Sequence, residues 1–329
     1  MELVSKKRLM LFAGSGNLEL SEEIAACLEV HLGEVKRSRF ANGELYCRLG
    51  QSVRGSDVFI IQGHCEPIND HIIEQLLMID AAKRASAKRI TAVCPFYGYS
   101  RQDRKAEGRE PISARLMADL LTVAGVDRVV TVDLHTGQIQ GFFDCPVDHL
   151  TAVPLLAQHM AGALDRSVDV TVVSPDAGGG KLARRFANKL ADHGVEPDLA
   201  FIDKRRPKGT HNVAVATEVV GEVDGRQCLL VDDMIDTAGT VVSAAELLTS
   251  RGASSVSILA THGLLSGPAI DRLKNGPIRE VVVTNTLPIP WEKHFDNLTV
   301  LSIAPIVAEA IDAVFEDTSV SELFKGDNV

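Results

Sequence analysis

The sequence predicts an α/β protein built as two related domains, each a mainly parallel sheet flanked by helices, and three observations carry that prediction. Apolar runs of strand length recur at residues 9–13, 58–62, 90–94, 129–132, 170–174, 199–202, 228–231, 257–260 and 280–284. Several are uninterrupted, as expected for parallel strands covered on both faces. Helical patterns lie between most of them, at 20–32, 70–85, 114–124, 181–190 and 241–251, and such alternation marks parallel pairing through crossovers. Finally, the two halves echo each other. A strand at 58–61, a helix closing on Lys83–Arg84–Ala85–Ser86 and a strand at 90–93 are matched by a strand at 229–231, a helix closing on Ser250–Arg251–Gly252–Ala253 and a strand at 256–259.

At 329 residues, 45% hydrophobic and 24% charged, the chain can bury two cores. The expected division falls near Leu150, into domains 1–150 and 151–329, with the last ~25 residues free to pack back across the boundary. The net charge of −10 argues against bulk attraction to nucleic acid, yet cations concentrate at 101–109 and 204–208. Tight basic clusters in an acidic protein point to a small anion. No membrane-length apolar stretch and no signal-peptide core are visible. The six cysteines form no CxxC pair. They read as reduced thiols of a cytoplasmic protein rather than a metal cluster or disulfide framework.

The segments with chemical potential follow in chain order. Arg39–Phe40–Ala41–Asn42–Gly43–Glu44 is a turn between strand-like runs, with Asn-Gly as a hairpin signal. It is either a plain turn or an aromatic face at Phe40 for a base, with Asn42 and Glu44 bonding to a nucleoside. Residues 95–105 follow a strand and combine Phe96, Tyr97 and Tyr99 with Arg101, Gln102, Arg104 and Lys105. They suit either an adenine ring and polyphosphate at a strand's C-terminal end or a solvated loop with an aromatic anchor. His135 ends another strand, as a metal ligand, phosphate donor or structural group. The run 173–181, with Asp176 before three glycines and Lys181, superficially suggests a P-loop. The upstream Gly is missing and Leu182 stands where Ser or Thr is needed, so that reading fails; Asp176 remains a candidate magnesium-side carboxylate. Asp203–Lys204–Arg205–Arg206–Pro207–Lys208 is an exposed basic loop or an arm closing over a polyphosphate. Last, an apolar strand runs into Asp232, Asp233 and Asp236, then Thr237–Ala238–Gly239–Thr240 and a helix. Small residues, two hydroxyls and a helix N-terminus suit a phosphate, and the carboxylates suit sugar hydroxyls or magnesium.

That last stretch resembles the ribose-5-phosphate loop of the phosphoribosyltransferase fold. With RFANGE (39–44), NDHIIE (69–74), RQDRK (101–105), TVDLH (131–135), IQGFFD (139–144), SPDAGG (174–179), DKRRP (203–207) and DDMIDTAGT (232–240) in order, the whole chain resembles the class I ribose-phosphate pyrophosphokinases. The resemblance implies two phosphoribosyltransferase-like domains and Mg2+-dependent transfer of pyrophosphate from ATP to ribose 5-phosphate. It implies that Phe40, Asn42, Gly43, Glu44, Arg101 and Gln102 contact ATP, and that His135 and Asp176 are magnesium-associated. Lys204 and Arg206 would lie on a catalytic arm. Asp232, Asp236, Thr237, Ala238, Gly239 and Thr240, with Arg206, would hold ribose 5-phosphate. Homo-oligomers, often hexamers, with inorganic phosphate and ADP as allosteric effectors are also implied, with Arg54 and Ser86 where an effector anion would bind. Asn42 stands where Asp is often found, and Ala238 where Gly or Cys is common. A non-catalytic regulatory homologue is the alternative, opposed by the intact arm and ribose loop.

Overall fold

The computed structural model describes residues 7–176, 178–205 and 215–323. These form two compact units. In the first, β1 (Leu9–Ala13) leads through α1 (Leu18–Cys27) to β2 (Leu32–Gly33). A hairpin of β3 (Val35–Arg39) and β4 (Leu45–Leu49) precedes β5 (Asp57–Ile61). Then come α2 (Ile68–Arg84), β6 (Arg89–Cys94), α3 (Ser113–Ala124), β7 (Arg128–Val132) and β8 (Val147–Leu150). Six strands pair in parallel in the order β2-β1-β5-β6-β7-β8.

The second unit begins with α4 (Val153–Ala163). It continues with β9 (Val170–Ser174), α5 (Gly180–Ala191), β10 (Asp198–Arg205), β11 (Val215–Val220), β12 (Gln227–Ile235) and α6 (Gly239–Ser250). Next are β13 (Ser255–Gly263), α7 (Ala269–Asn275), β14 (Glu280–Thr284) and β15 (Leu298–Leu301). Its sheet has the order β11-β10-β9-β12-β13-β14-β15, with only the edge strand β11 antiparallel. The closing helices, α8 (Ala304–Phe315) and α9 (Val320–Leu323), group with the first unit, as do residues 286–288.

Apart from β11, both sheets follow one plan, with the second strand in chain order at the edge, then the first, then the third to sixth. The echo heard in the sequence is therefore an echo of topology. The reversal of strand order opens a crevice at the C-terminal ends of β1 and β5 in one unit and of β9 and β12 in the other, where open α/β sheets take ligands.

Apolar patterning explains the layers. Every residue of β5 and of β9 is buried, as central parallel strands require. Helix α5 buries Ala183, Phe186, Ala187 and Leu190, one stripe at helical spacing. The first helix stops earlier than its periodicity suggests. It ends at Cys27, Glu29 turns left-handed at φ 53°, and Leu32 pairs with Leu11 on the sheet edge. The apolar Leu32 that extends the helical pattern belongs to a strand.

Candidate active site

In the first unit, the 39–44 segment is the predicted hairpin turn. Phe40 N–H donates to the Glu44 carbonyl at 2.9 Å and Gly43 N–H to that of Phe40 at 2.8 Å. Gly43 sits at φ 94°, a conformation that favours glycine. The Asn42 side chain accepts from Glu44 N–H at 3.2 Å. Phe40 is 55% exposed, its ring edge-on to Tyr46 at 6.3 Å. An aromatic ring held out of the core on a rigid turn offers a stacking face at low entropic cost.

The loop after β6 behaves differently. Phe96 and Tyr97 are buried; the Tyr97 hydroxyl donates to the Ala114 carbonyl at 3.0 Å and its ring packs edge-on against Phe143. They anchor the loop, so neither is free to stack on a base. Beyond them, Arg101 and Gln102 are exposed. Gln102 is tied to the start of α3, its side-chain oxygen accepting from the Ser113 hydroxyl at 2.6 Å and its carbonyl from Ala114 N–H at 3.2 Å. Asp103 accepts from the Thr136 hydroxyl at 2.8 Å, joining this loop to the one that carries the exposed His135. The hairpin and the loop share an anchor at the first turn of α2. Arg39 pairs with Asp70 at 2.6 Å, and the Tyr99 hydroxyl donates to Asn69 at 2.6 Å. The 39–44 hairpin and the loop after β6 are thus both tied to one helix start. His149, which sequence reading did not single out, is buried and accepts from Leu134 N–H at 2.9 Å, bracing the segment next to His135.

In this unit the crevice between β1 and β5 is filled by protein. A Cβ on Gly14 or Gly16 would fall 2.3 Å from Gln62 or from the Gly63 carbonyl. Glu74 lies beneath, bound by Ser15, Gln62 and Arg37.

In the second unit the corresponding crevice is lined with carboxylates. After β9, Asp176 Oδ1 accepts from Gly178 and Gly179 N–H at 2.9 and 3.0 Å, closing a tight turn just before α5. The neighbouring strand, β12, runs four residues beyond the predicted 228–231, so that Asp232 and Asp233 lie within it, Asp232 opposite Ala260. Asp233 N–H donates to Asp232 Oδ1 at 2.9 Å. Burial first, then the adjacent Asp233 and last the negative charge of Asp176, push the Asp232 carboxyl well above the usual carboxylate range. This is a concentration of negative charge that a cation or hydroxyl donors would relieve.

The chain then turns through Asp236 and Thr237 into Ala238, at φ 59° and ψ 1°, and enters α6 without a side-chain cap. A left-handed residue followed by the open amides of a helix start forms an anion-binding concavity. Thr237 and Thr240 are exposed at its rim. The candidate arm lies elsewhere in this unit: Lys204 is on the backbone of β10, opposite Ala216 in the ladder with β11, while Arg206 lies outside the described residues. Among the described residues no group of three or more His, Cys, Asp or Glu side chains gathers as a metal cage. His135 is exposed in the first unit and Asp176 in the second, and each offers a single donor of the kind Mg2+ uses when water and substrate phosphates complete its shell.

Comparison with known proteins gives concordant matches along the chain. A family profile described as the N-terminal domain of ribose phosphate pyrophosphokinase matches residues 9–125. One described as the phosphoribosyl synthetase-associated domain matches residues 198–325. The chain is 55% identical to a ribose-phosphate pyrophosphokinase of Streptomyces avermitilis over 98% of each chain. To that of Mycobacterium leprae it is 54% identical, over 98% of this chain and 97% of the other. Among solved structures, the phosphoribosylpyrophosphate synthetase of Mycobacterium smegmatis superposes with a TM-score of 0.87 at 52% identity, covering 94% of this chain and all of the other.

Proposed function

The chain belongs to the ribose-phosphate pyrophosphokinase family, and from that premise we propose how its residues divide the work. The reaction makes phosphoribosyl pyrophosphate: the C1 hydroxyl of ribose 5-phosphate attacks the β-phosphorus of ATP, the β–α bridging bond breaks, and AMP leaves. Little covalent work falls to the protein, so positioning and charge neutralisation carry the rate.

In this reading, Ala238, Gly239, Thr237 and Thr240 cradle the 5-phosphate while Asp232 and Asp236 take the ribose hydroxyls. The observation that carries it is the crevice itself: a left-handed Ala238 opening into an uncapped helix start, beside the half-buried Asp232, whose carboxyl is pushed up by burial and by the negative charges of Asp233 and Asp176. Phe40 stacks on adenine, and Asn42, Gly43, Glu44, Arg101 and Gln102 bind the rest of ATP. Lys204 and Arg206 neutralise charge on the transferred group, Arg206 also reaching the sugar phosphate. The family is generally Mg2+-dependent, and here His135 and Asp176 would hold the ion, which supplies charge neutralisation on the phosphates.

Assembly into a homo-oligomer, with a hexamer as the expected form, is supported by the apolar face of the first unit. Ile73 and Leu77 of α2 and Leu116, Leu120 and Val123 of α3 are exposed, Val123 by 76%. Inorganic phosphate and ADP are the proposed effectors near Arg54 and Ser86, which a 2.9 Å bond from Gly55 N–H to the Ser86 carbonyl draws together. A cytoplasmic setting belongs to the same proposal. Among the described residues no helix is long and apolar enough to cross a membrane.

Phosphorus NMR of the purified protein with Mg2+, ATP and ribose 5-phosphate tests the assignment. AMP with a pyrophosphorylated sugar is expected. ADP with a sugar phosphate would overturn the transfer mechanism, and bound ATP without turnover would favour a regulatory homologue.

A further inference from the structure

Three consecutive carbonyls at the end of β12 are taken up by one neighbouring segment. Leu264 and Leu265 N–H both donate to the Ile235 carbonyl at 3.0 Å, and Ser266 N–H to that of Asp236 at 2.9 Å. The third carbonyl is taken by a side chain: Arg272 Nη1 donates to that of Thr237 at 2.9 Å. The same nitrogen lies 3.2 Å from where a Cβ on Gly239 would stand. The guanidinium therefore lies against the loop on both sides of Ala238. The segment is firmly based, since Leu265, Ala269 and Leu273 are buried in the unit's core, while Arg272 is exposed on the other side of α7.

A peptide group is planar, so a carbonyl held on one side points the next amide to the other. Capturing the Thr237 carbonyl fixes the direction of the Ala238 N–H. It also holds in place a non-glycine residue in the left-handed region, a strained conformation that persists only where surroundings over-determine it. From this we infer that Arg272 is a positioning residue for the phosphate cup. It acts through the 237–238 peptide to aim the amides of 238–240 at the 5-phosphate, without itself touching the reacting atoms. The inference rests on the reading of 236–240 as the ribose-5-phosphate loop.

The test is steady-state kinetics on the full chain with Mg2+, varying each substrate in turn, for Arg272→Ala, Arg272→Gln, Arg272→Lys and Thr240→Val. Loss of one charge-assisted bond to the loop should raise the KM for ribose 5-phosphate about ten-fold in Arg272→Ala, with the KM for ATP and the thermal midpoint little changed. Arg272→Gln, which keeps a donor without the charge, should recover much of that loss. Recovery by Arg272→Lys alone would mean that charge rather than peptide orientation matters, and would overturn the inference. An unchanged KM in Arg272→Ala, or a parallel rise for both substrates with a lowered midpoint, would overturn it too. Thr240→Val separates the two readings. If it raises the KM while Arg272→Ala does not, only the inference on Arg272 fails. If Thr240→Val also leaves the KM unchanged, the loop assignment itself fails.

Discussion

The guanidinium of Arg37 donates to the carboxylate of Glu74 at 2.6 Å, in the crevice between β1 and β5 whose counterpart in the second unit is lined by Asp176 and Asp232. One topology thus produced two crevices with opposite contents, one closed by a satisfied ion pair and one left with carboxylates and an uncapped helix start.

Glu74 also accepts from the amide and hydroxyl of Ser15 and from Gln62. Glu74→Ala would leave these donors without a buried acceptor. It should cost about 2–3 kcal/mol in denaturant unfolding at pH 7, less than a fully buried pair because the Arg37 side chain is 31% exposed. Burial pushes the Glu74 carboxyl up, but the bonds from Ser15 and Gln62 and the Arg37 charge outweigh it and hold it below its ordinary value. Its contribution is therefore present above the unfolded value of 4.5 and is lost as pH falls further. The stability gap between wild type and Glu74→Gln should narrow when unfolding is repeated in acid. A gap independent of pH would remove the charge from the explanation.

His64 offers a pH dependence of the other kind. Its Nδ1 accepts from Gly98 N–H at 2.9 Å, so its Nε2 carries the proton donated to Gln75 Oε1 at 2.9 Å. Burial, helped slightly by His71 and opposed by Gln75, lowers the imidazole from 6.5 to about 4. The unfolded chain takes up a proton through that interval and the native protein does not, so stability falls on acidification from pH 6.5 towards 4. The full effect is about 3 kcal/mol. His64→Gln should flatten this part of the stability–pH curve even if it lowers the plateau, as thermal midpoints across the interval would reveal.

Phe40 is the clearest separation of binding from stability. An exposed ring contributes little to the fold, whereas stacking on a base is worth about 1–3 kcal/mol. Phe40→Ala should keep its thermal midpoint and raise the KM for ATP ten- to a hundred-fold. Phe40→Tyr or Phe40→Trp should restore it. An unaltered KM would take adenine away from the hairpin.

Lys204→Ala should fold normally and lose about 10³-fold in kcat, by analogy with other cations that neutralise phosphoryl-transfer transition states. Near-normal turnover would remove Lys204 from the mechanism.

Much of this was legible in the chain itself. Strand and helix positions follow from local periodicity, and β1, β9 and β14 coincide with apolar runs read directly. The loops with chemical content could be placed at strand C-terminal ends because strand–helix alternation implies parallel pairing. Phe40 and Phe96 looked equivalent as aromatic residues in loops. Only packing separates them, because burial depends on what the rest of the chain brings over a side chain. The helix expected at 20–32 was shortened because Leu32 satisfies the helical period and a strand equally well, and a sheet edge was available to take it.

Local patterns along the chain were enough for the α/β class and the family, which rest on periodicity and ordered motifs, whereas the shared plan of the two sheets became plain only from strand order. Packing between distant segments placed Glu74 and Arg37 in one crevice and brought Arg272 to grip the Thr237 carbonyl from 35 residues away. Such relationships depend on strand order and register, which set distances between segments that no local pattern encodes.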